Sequence, residues 1–155
     1  MKLTSVMLAD YATIREGLLH VLGGGITRLI RDPLPASMGA VVAMMLQPED
    51  LDDLQASHTL EVFVTGSGDE GVRAVAKAVM TLPGTTTAGA LLPTLPVVVP
   101  IQSIPLTMTG MHQITVALDG TVVGTLEYEV LKAVPPPDEQ AASASGQVAV
   151  DPALP

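Results

Sequence analysis

Apolar residues recur at every second position through three stretches of the chain. In "HTLEVFVTG" (58–66), Leu60, Val62 and Val64 alternate with Thr59, Glu61 and Phe63. "HQITVALDG" (112–120) does the same with Ile114, Val116 and Leu118, and "TVVGTLEYEVL" (121–131) sets Val122, Leu126, Tyr128 and Val130 against Thr125, Glu127 and Glu129. A period of two is the mark of a pleated strand with one face on a core. Asp119-Gly120, between the last two stretches, tolerates the positive φ angles of a tight turn and predicts a hairpin. Further strands are predicted over 3–12, 18–22, 26–31, 38–47 and 95–108. Pro96, Pro100 and Pro105 interrupt the last of these, which therefore reads as an edge strand or as two short pieces with an irregular join. Roughly seven to nine short strands with turn signals between them predict an all-β fold, an antiparallel β-sandwich of immunoglobulin-like or jelly-roll-like kind.

One segment supports two readings. In "SGDEGVRAVAKAVMTLPG" (67–84), Ser67 and Glu70 match a capping box, and Val72, Val75, Ala76 and Val79 follow helical spacing. The alternative is a strand with Val72, Ala74, Ala76, Ala78 and Met80 on one side and Arg73, Val75, Lys77 and Val79 on the other. Gly71 weakens the helix, and the strand is favoured. The final stretch, 133–155, is rich in proline and small residues, holds three acids and has no periodicity. It is expected to be a disordered tail behind a folded domain of residues 1–132.

Some strands carry more hydrocarbon than one wet face allows. "GAVVAMML" (39–46) is apolar at every position, "LPVVVPI" (95–101) is similar, and "SVMLA" (5–9) is nearly so. Continuous runs mean that both faces are covered. The second cover is expected to be the segment 67–92 or another subunit. The interface candidates are alternate members of Val41, Val42, Ala43, Met44, Met45 and Leu46, with self-association or docking into a larger assembly as the consequence.

Composition narrows the chemistry. Of 155 residues, 48% are hydrophobic but only Phe63, Tyr11 and Tyr128 are aromatic, and there is neither Trp nor Cys. The core is therefore aliphatic, and no disulfide is possible. The net charge is −9, with seven scattered basic residues. A nucleic-acid surface needs clustered basic groups and, for single strands, stacking aromatics, so no nucleic-acid partner is expected. The apolar run near the N-terminus is interrupted by Thr4 and Ser5 and stopped by Asp10, too short for a signal peptide. No stretch reaches the ~18–20 apolar residues of a membrane helix. The expectation is a cytoplasmic protein, or a virion component if phage-encoded, with no membrane partner.

No constellation announces catalysis. His20, His58 and His112 are far apart without metal-ligand spacing, no Gly-x-Ser-x-Gly elbow is present, and no catalytic residue or cofactor is expected. Glu127 and Glu129 share the outward face of one strand and read as a solvated pair. In "QPEDLDDLQ" (47–55), Glu49, Asp50, Asp52 and Asp53 are weak calcium candidates. The rival identity of that loop is a solvated helical turn begun by Pro48. A second acidic pair, Asp69 and Glu70, follows the strand 57–66 at its other end, roughly 30 Å away at ~3.3 Å per residue. The function expected is a non-enzymatic structural or interaction domain, with a small-ligand or calcium-binding module as the alternative.

Gly23, Gly24 and Gly25 lack the Lys and Ser/Thr that a phosphate loop requires, and position 28 is Arg where a dinucleotide fingerprint needs its last glycine. The β-branched residues that follow point to a bulge or sharp corner between strands. The surrounding residues Asp10, Tyr11, Ala12, Gly17, Leu19 and Leu22, with the glycine triplet and later Asp119-Gly120, resemble an uncharacterised bacterial β-sandwich family. Its members open with Asp-Tyr-Ala and then Leu-x-x-Leu-Gly-Gly-Gly. The similarity runs over about 3–131, and this chain lacks the aromatics that members often place after the glycines and in the final hairpin. The resemblance implies a small β-sandwich and supplies no activity or catalytic residues.

Overall fold

The computed structural model describes residues 1–66, 74–81 and 92–133. The chain runs through β1 (Lys2–Arg15), β2 (Leu18–Gly24), β3 (Arg28–Ile30), β4 (Ala36–Ser37), β5 (Val41–Gln47), the short helix α1 (Leu51–Gln55), β6 (Ser57–Thr65), β7 (Ala74–Thr81), β8 (Leu95–Pro100), β9 (Pro105–Leu106), β10 (Gly110–Leu118) and β11 (Thr121–Leu131). One sheet has the order β2-β1-β5-β8, a second the order β3-β11-β10-β6-β7, and β4 pairs with β9 in a small ladder. The fold is all-β. Among the described residues, β3, β4 and β9 have three residues or fewer, and pairing is antiparallel except between β3 and β11, which run parallel.

The alternating stretches pack as their periodicity predicts. Leu60, Val62 and Val64 of β6 and Ile114, Val116 and Leu118 of β10 are buried, facing Leu8, Val42, Met44 and Leu46 of the other sheet. The five-stranded sheet carries ion pairs at its surface, Lys77 on Glu61 at 3.1 Å and Arg28 on Glu129 at 3.3 Å, beside exposed Ile30, Val79, Met111 and Val122. Val122 departs from the predicted pattern. A register shift between Val116 and Ala117 leaves it exposed, while its neighbour Val123 packs on the core. Residues 74–81 form a strand, with Ala76 and Met80 against the core and Lys77 and Val79 exposed. The rest of 67–84 and residues 134–155 lie outside the described residues, and with them the capping-box residues, Asp69 and the expected tail. The Pro-rich stretch is both edge and broken: β8 borders the four-stranded sheet and β9 belongs to the small ladder.

The continuous run in β5 is shielded on both sides, but not in the way its sequence suggests. Val42, Met44 and Leu46 face the main core, while Val41 and Ala43 join a second cluster with Ala9 and Ala12 of β1. Met7, Leu19 of β2 and Val98 of β8 pack against that cluster. β1 achieves this by changing partners. Lys2–Ala9 pairs with β5, Ala9–Arg15 pairs with β2, and the burial phase of β1 switches between Ala9 and Ala12. The β1–β2 hairpin thus runs past the end of β5 and curls across the sheet, bringing β2 next to β8 although they are opposite edges. This corrects the expected interface: Val41, Val42, Ala43, Met44 and Leu46 are all at most 2% exposed and Met45 is partly buried, so β5 offers no bare apolar face to a partner. Residues 74–81 of the expected cover lie in the other sheet.

The glycine triplet is where the hairpin ends and the chain crosses sheets. The N–H groups of Gly25 and Ile26 both donate to the Leu8 carbonyl, at 2.9 and 3.0 Å, an irregularity of the bulge type. Gly23 and Gly25 have φ of 61° and 83°, in the region that L side chains avoid. Ile26 then enters the core and β3 joins β11. A Cβ on Gly23 would collide with the Asp10 carboxyl group, whereas one on Gly17, also at positive φ, would meet open space. Gly17→Ala should therefore cost only the left-handed backbone penalty, about 1–2 kcal/mol. Gly23→Ala should cost more, because Asp10 must also move. Equal losses in denaturant unfolding would contradict this packing.

Candidate functional site

The hairpin that covers β5 with one face turns its other face outward. Glu16 and Gly17, with φ of 52° and 74°, form its two-residue turn, and the ladder pairs Arg15 with Leu18, Thr13 with His20 and Tyr11 with Leu22. These pairs share one face, on which Tyr11, Leu18 and Leu22 are 56%, 62% and 68% exposed. Val21 and Ile14 are also exposed on the hairpin. Among the described residues no strand pairs with the free side of β2. Native edge strands are commonly protected by a charge, a proline or very short length. β2 ("LLHVLGG") has seven residues, with no Asp, Glu, Lys or Arg and no proline.

A second group of residues is polar and buried. His58, only 5% exposed, sits at the start of β6 between two acceptors. Its Nδ1 donates to Asp119 Oδ2 at 2.8 Å and its Nε2 to the Asp53 carbonyl at 2.9 Å. Neither partner can donate in return, so both ring nitrogens must carry protons and the imidazolium is the form that fits. The Asp119 carboxylate, and after it the Asp53 carbonyl, raise the His58 pKa against the opposing effect of burial. His58 and the Thr59 N–H in turn hold the Asp119 carboxyl below its ordinary value. Asp119 also clamps the β10–β11 turn to β6: its carboxylate accepts from the Thr59 N–H at 2.7 Å, and its own N–H donates to the Thr59 carbonyl at 2.8 Å.

The acidic loop is committed to the same region. Asp50 caps α1 by accepting from the Asp53 N–H, and Asp53 accepts from the Glu49 N–H and the Met1 ammonium. The Glu49 N–H, followed by the ammonium, keeps the Asp53 pKa low. Burial opposes the charged form of the Met1 ammonium, but Asp53 and Glu49 outweigh it and raise its pKa. Among the described residues no group of three or more His, Asp or Glu side chains could hold a metal ion. Elsewhere, His112 stacks on Tyr128 with ring centroids 5.3 Å apart and donates to the Met108 carbonyl. A cleft of about 320 Å³ opens between β7 and β8, where Ala76 and Ala78 leave room opposite Val97 and Val99. Its lining is hydrocarbon apart from Lys77, whose ammonium is held by Glu61.

The model of a family described as "Family of unknown function (DUF6941)" matches residues 4–131. The chain belongs to this family. The matched span takes in both sheets and the whole β1–β2 hairpin, and the family's description assigns no activity. No curated protein matches the chain. Two solved structures share a limited likeness with this DUF6941 domain. The alkylpurine DNA glycosylase AlkC of Pseudomonas fluorescens, bound to DNA containing an abasic-site analogue, has a TM-score of 0.37 and 12% identity, over 81% of this chain and 30% of that one. A β-glucosidase from Listeria innocua in complex with isofagomine has a TM-score of 0.41 and 12% identity, over 83% of this chain and 16% of that one. The chain thus spans less than a third of either protein, and likeness at this level supports neither activity for it.

The structure separates the residues singled out from sequence. His20 is exposed on the hairpin, while His58 and His112 belong to opposite ends of the five-stranded sheet. Glu49, Asp50, Asp52 and Asp53 stay together around α1, and Asp119-Gly120 forms the predicted turn with φ of 49° and 79°. Sequence reading misses the link of His58 to Asp119, 61 positions away. Among the described residues no helix is long and apolar enough to cross a membrane.

The His58 linkage has a definite sign. Its pKa is raised, so its contribution is fully present below the unfolded value near 6.5 and is lost as pH rises through the folded value. Asp119 is lowered, so its contribution is present above 3.8 and is lost as pH falls through its folded value. Unfolding free energy should therefore plateau between these limits and decline above pH 6.5. His58→Gln should remove on the order of 1–3 kcal/mol on the plateau and flatten the decline just above it. An unchanged pH profile in the variant would refute the charged assignment.

Proposed function

We propose that this DUF6941 domain is a non-enzymatic interaction module that self-associates or docks into a larger assembly through the outer face and free edge of its β1–β2 hairpin. The observation that carries this function is the β2 edge, seven residues long, without Asp, Glu, Lys, Arg or Pro, paired with no strand on its second side among the described residues and flanked by exposed Tyr11, Leu18 and Leu22. An open edge presents unpaired backbone groups in register, and an added strand satisfies them while its side chains bury the flanking hydrocarbon. A net charge of −9 elsewhere on the chain keeps copies from sticking indiscriminately, so association is directed to the uncharged edge. The shielding of β5 within the chain moves the docking surface away from 41–46 and onto the element that shields it.

Light scattering across a concentration series tests this directly. The wild-type chain should show mass above the monomer, or should retain a partner that purifies with it. Leu22→Lys should abolish either behaviour without altering the melting temperature. Val122→Lys, which charges an exposed apolar position on the other sheet, should leave it intact. A wild-type monomer with no co-purifying partner would contradict the proposal, as would equal behaviour of the two variants.

A further inference from the structure

We propose that the occupant of the β2 edge is β2 of a second copy, antiparallel and centred on His20. This pairing rests on the docking function above and names its partner and register. It follows first from where the backbone groups point. In a two-residue hairpin the residues flanking the turn exchange hydrogen bonds, and bonded pairs then alternate with unbonded ones. Arg15–Leu18, Thr13–His20 and Tyr11–Leu22 are therefore the bonded pairs within the hairpin. The N–H and C=O groups of Leu19 and Val21 are left pointing to the free side.

The side chains then select the partner. Two identical antiparallel strands meet about a two-fold axis, so if residue i faces residue j, then j faces i. In "LLHVL" (18–22), an axis at His20 sets Leu18 against Leu22 and Leu19 against Val21, apolar on apolar to either side of the centre. With the axis at His20, Leu19 and Val21 of one copy exchange backbone hydrogen bonds with Val21 and Leu19 of the other. Leu18 and Leu22 then meet across an unbonded pair, where side chains approach most closely, beside Tyr11. With the axis at Val21, Leu19 would oppose Gly23 and Leu18 would oppose Gly24. Those leucines would face residues with no side chain, so the His20 register buries more. The joined sheet would run through eight strands. The contact is small, and the association should depend on concentration.

Because the chain has no cysteine, single cysteines report the register without background. In the His20 register the two copies of residue 20 form an unbonded pair with Cα atoms about 4.5 Å apart, within disulfide range. His20→Cys should therefore yield a disulfide-linked dimer on mild oxidation. Leu18→Cys alone and Val21→Cys alone should yield little, and a mixture of Leu18→Cys with Leu22→Cys should yield the mixed dimer. Each variant changes an exposed residue, and circular dichroism and the melting temperature verify that it folds. Efficient linking of Val21→Cys in place of His20→Cys would overturn this register and leave edge docking standing. A wild-type monomer whose β2 binds a different protein, in a manner lost with Leu22→Lys, would overturn the self-pairing alone. Linking by no variant, together with a monomer indifferent to Leu22→Lys, would overturn docking as well.

Discussion

β5 cannot leave either of its faces in water, and the rest of the architecture is arranged around that constraint. Val42, Met44 and Leu46 fill the space between the sheets, and the opposite side carries Val41 and Ala43. Burying one side chain of valine, leucine or methionine size contributes about 1.5–3 kcal/mol, so a bare outer face would forfeit a large share of a typical domain's stability. The cover comes from the neighbouring strand. β1 runs beyond the end of β5, and its hairpin with β2 brings Ala12 and Leu19 over the exposed flank. A hairpin in that position has to end in a sharp corner for the chain to reach the other sheet. That is why Gly23 and Gly25 adopt left-handed backbone angles, which glycine takes without the cost other residues bear.

The same arrangement makes the proposed surface. A two-stranded ribbon has two faces, and only one can lie against β5. The other carries Tyr11, Leu18 and Leu22, and among the described residues no strand pairs with the second edge of β2. The five-stranded sheet pairs Glu61 with Lys77 and Arg28 with Glu129 at its surface among scattered exposed apolar residues, whereas the four-stranded sheet covers its outer flank with hydrocarbon from its own hairpin and shows hydrocarbon again beyond it. In the ionisable cluster, His58 joins α1 to the β10–β11 turn through acceptors on both ring nitrogens.

Much of the fold is legible in the sequence where one side of a strand is wet. β6 and β10 alternate cleanly because solvent and core impose opposite demands, and Asp119-Gly120 marks its own turn through the φ angles it tolerates. Val122 defies the alternation because a bulge, which leaves no composition signal, shifts the register beneath it. The run 39–46 states that both faces are covered but carries no information on the cover, since Leu19 and Ala12 are ordinary apolar residues of another hairpin. The parallel joining of β3 to β11 depends on a crossover that periodicity cannot express. The proposed docking edge is half legible: its leucines and glycines stand out in "LLHVLGG", but whether that strand is central or peripheral is a property of topology. His58 is the opposite case, since its partners are set by folding over 61 positions and an isolated histidine in a strand gives no sign of them.

A double-mutant cycle between Leu19 and Val41 tests the internal cover most directly. Leu19→Ala, Val41→Ala and the combined variant would be compared by denaturant unfolding. If the hairpin seals the outer flank of β5, the two truncations share one cluster and their effects couple by about 0.5–1 kcal/mol or more. Strict additivity, with Leu19→Ala close to neutral, would mean that the hairpin does not shield β5.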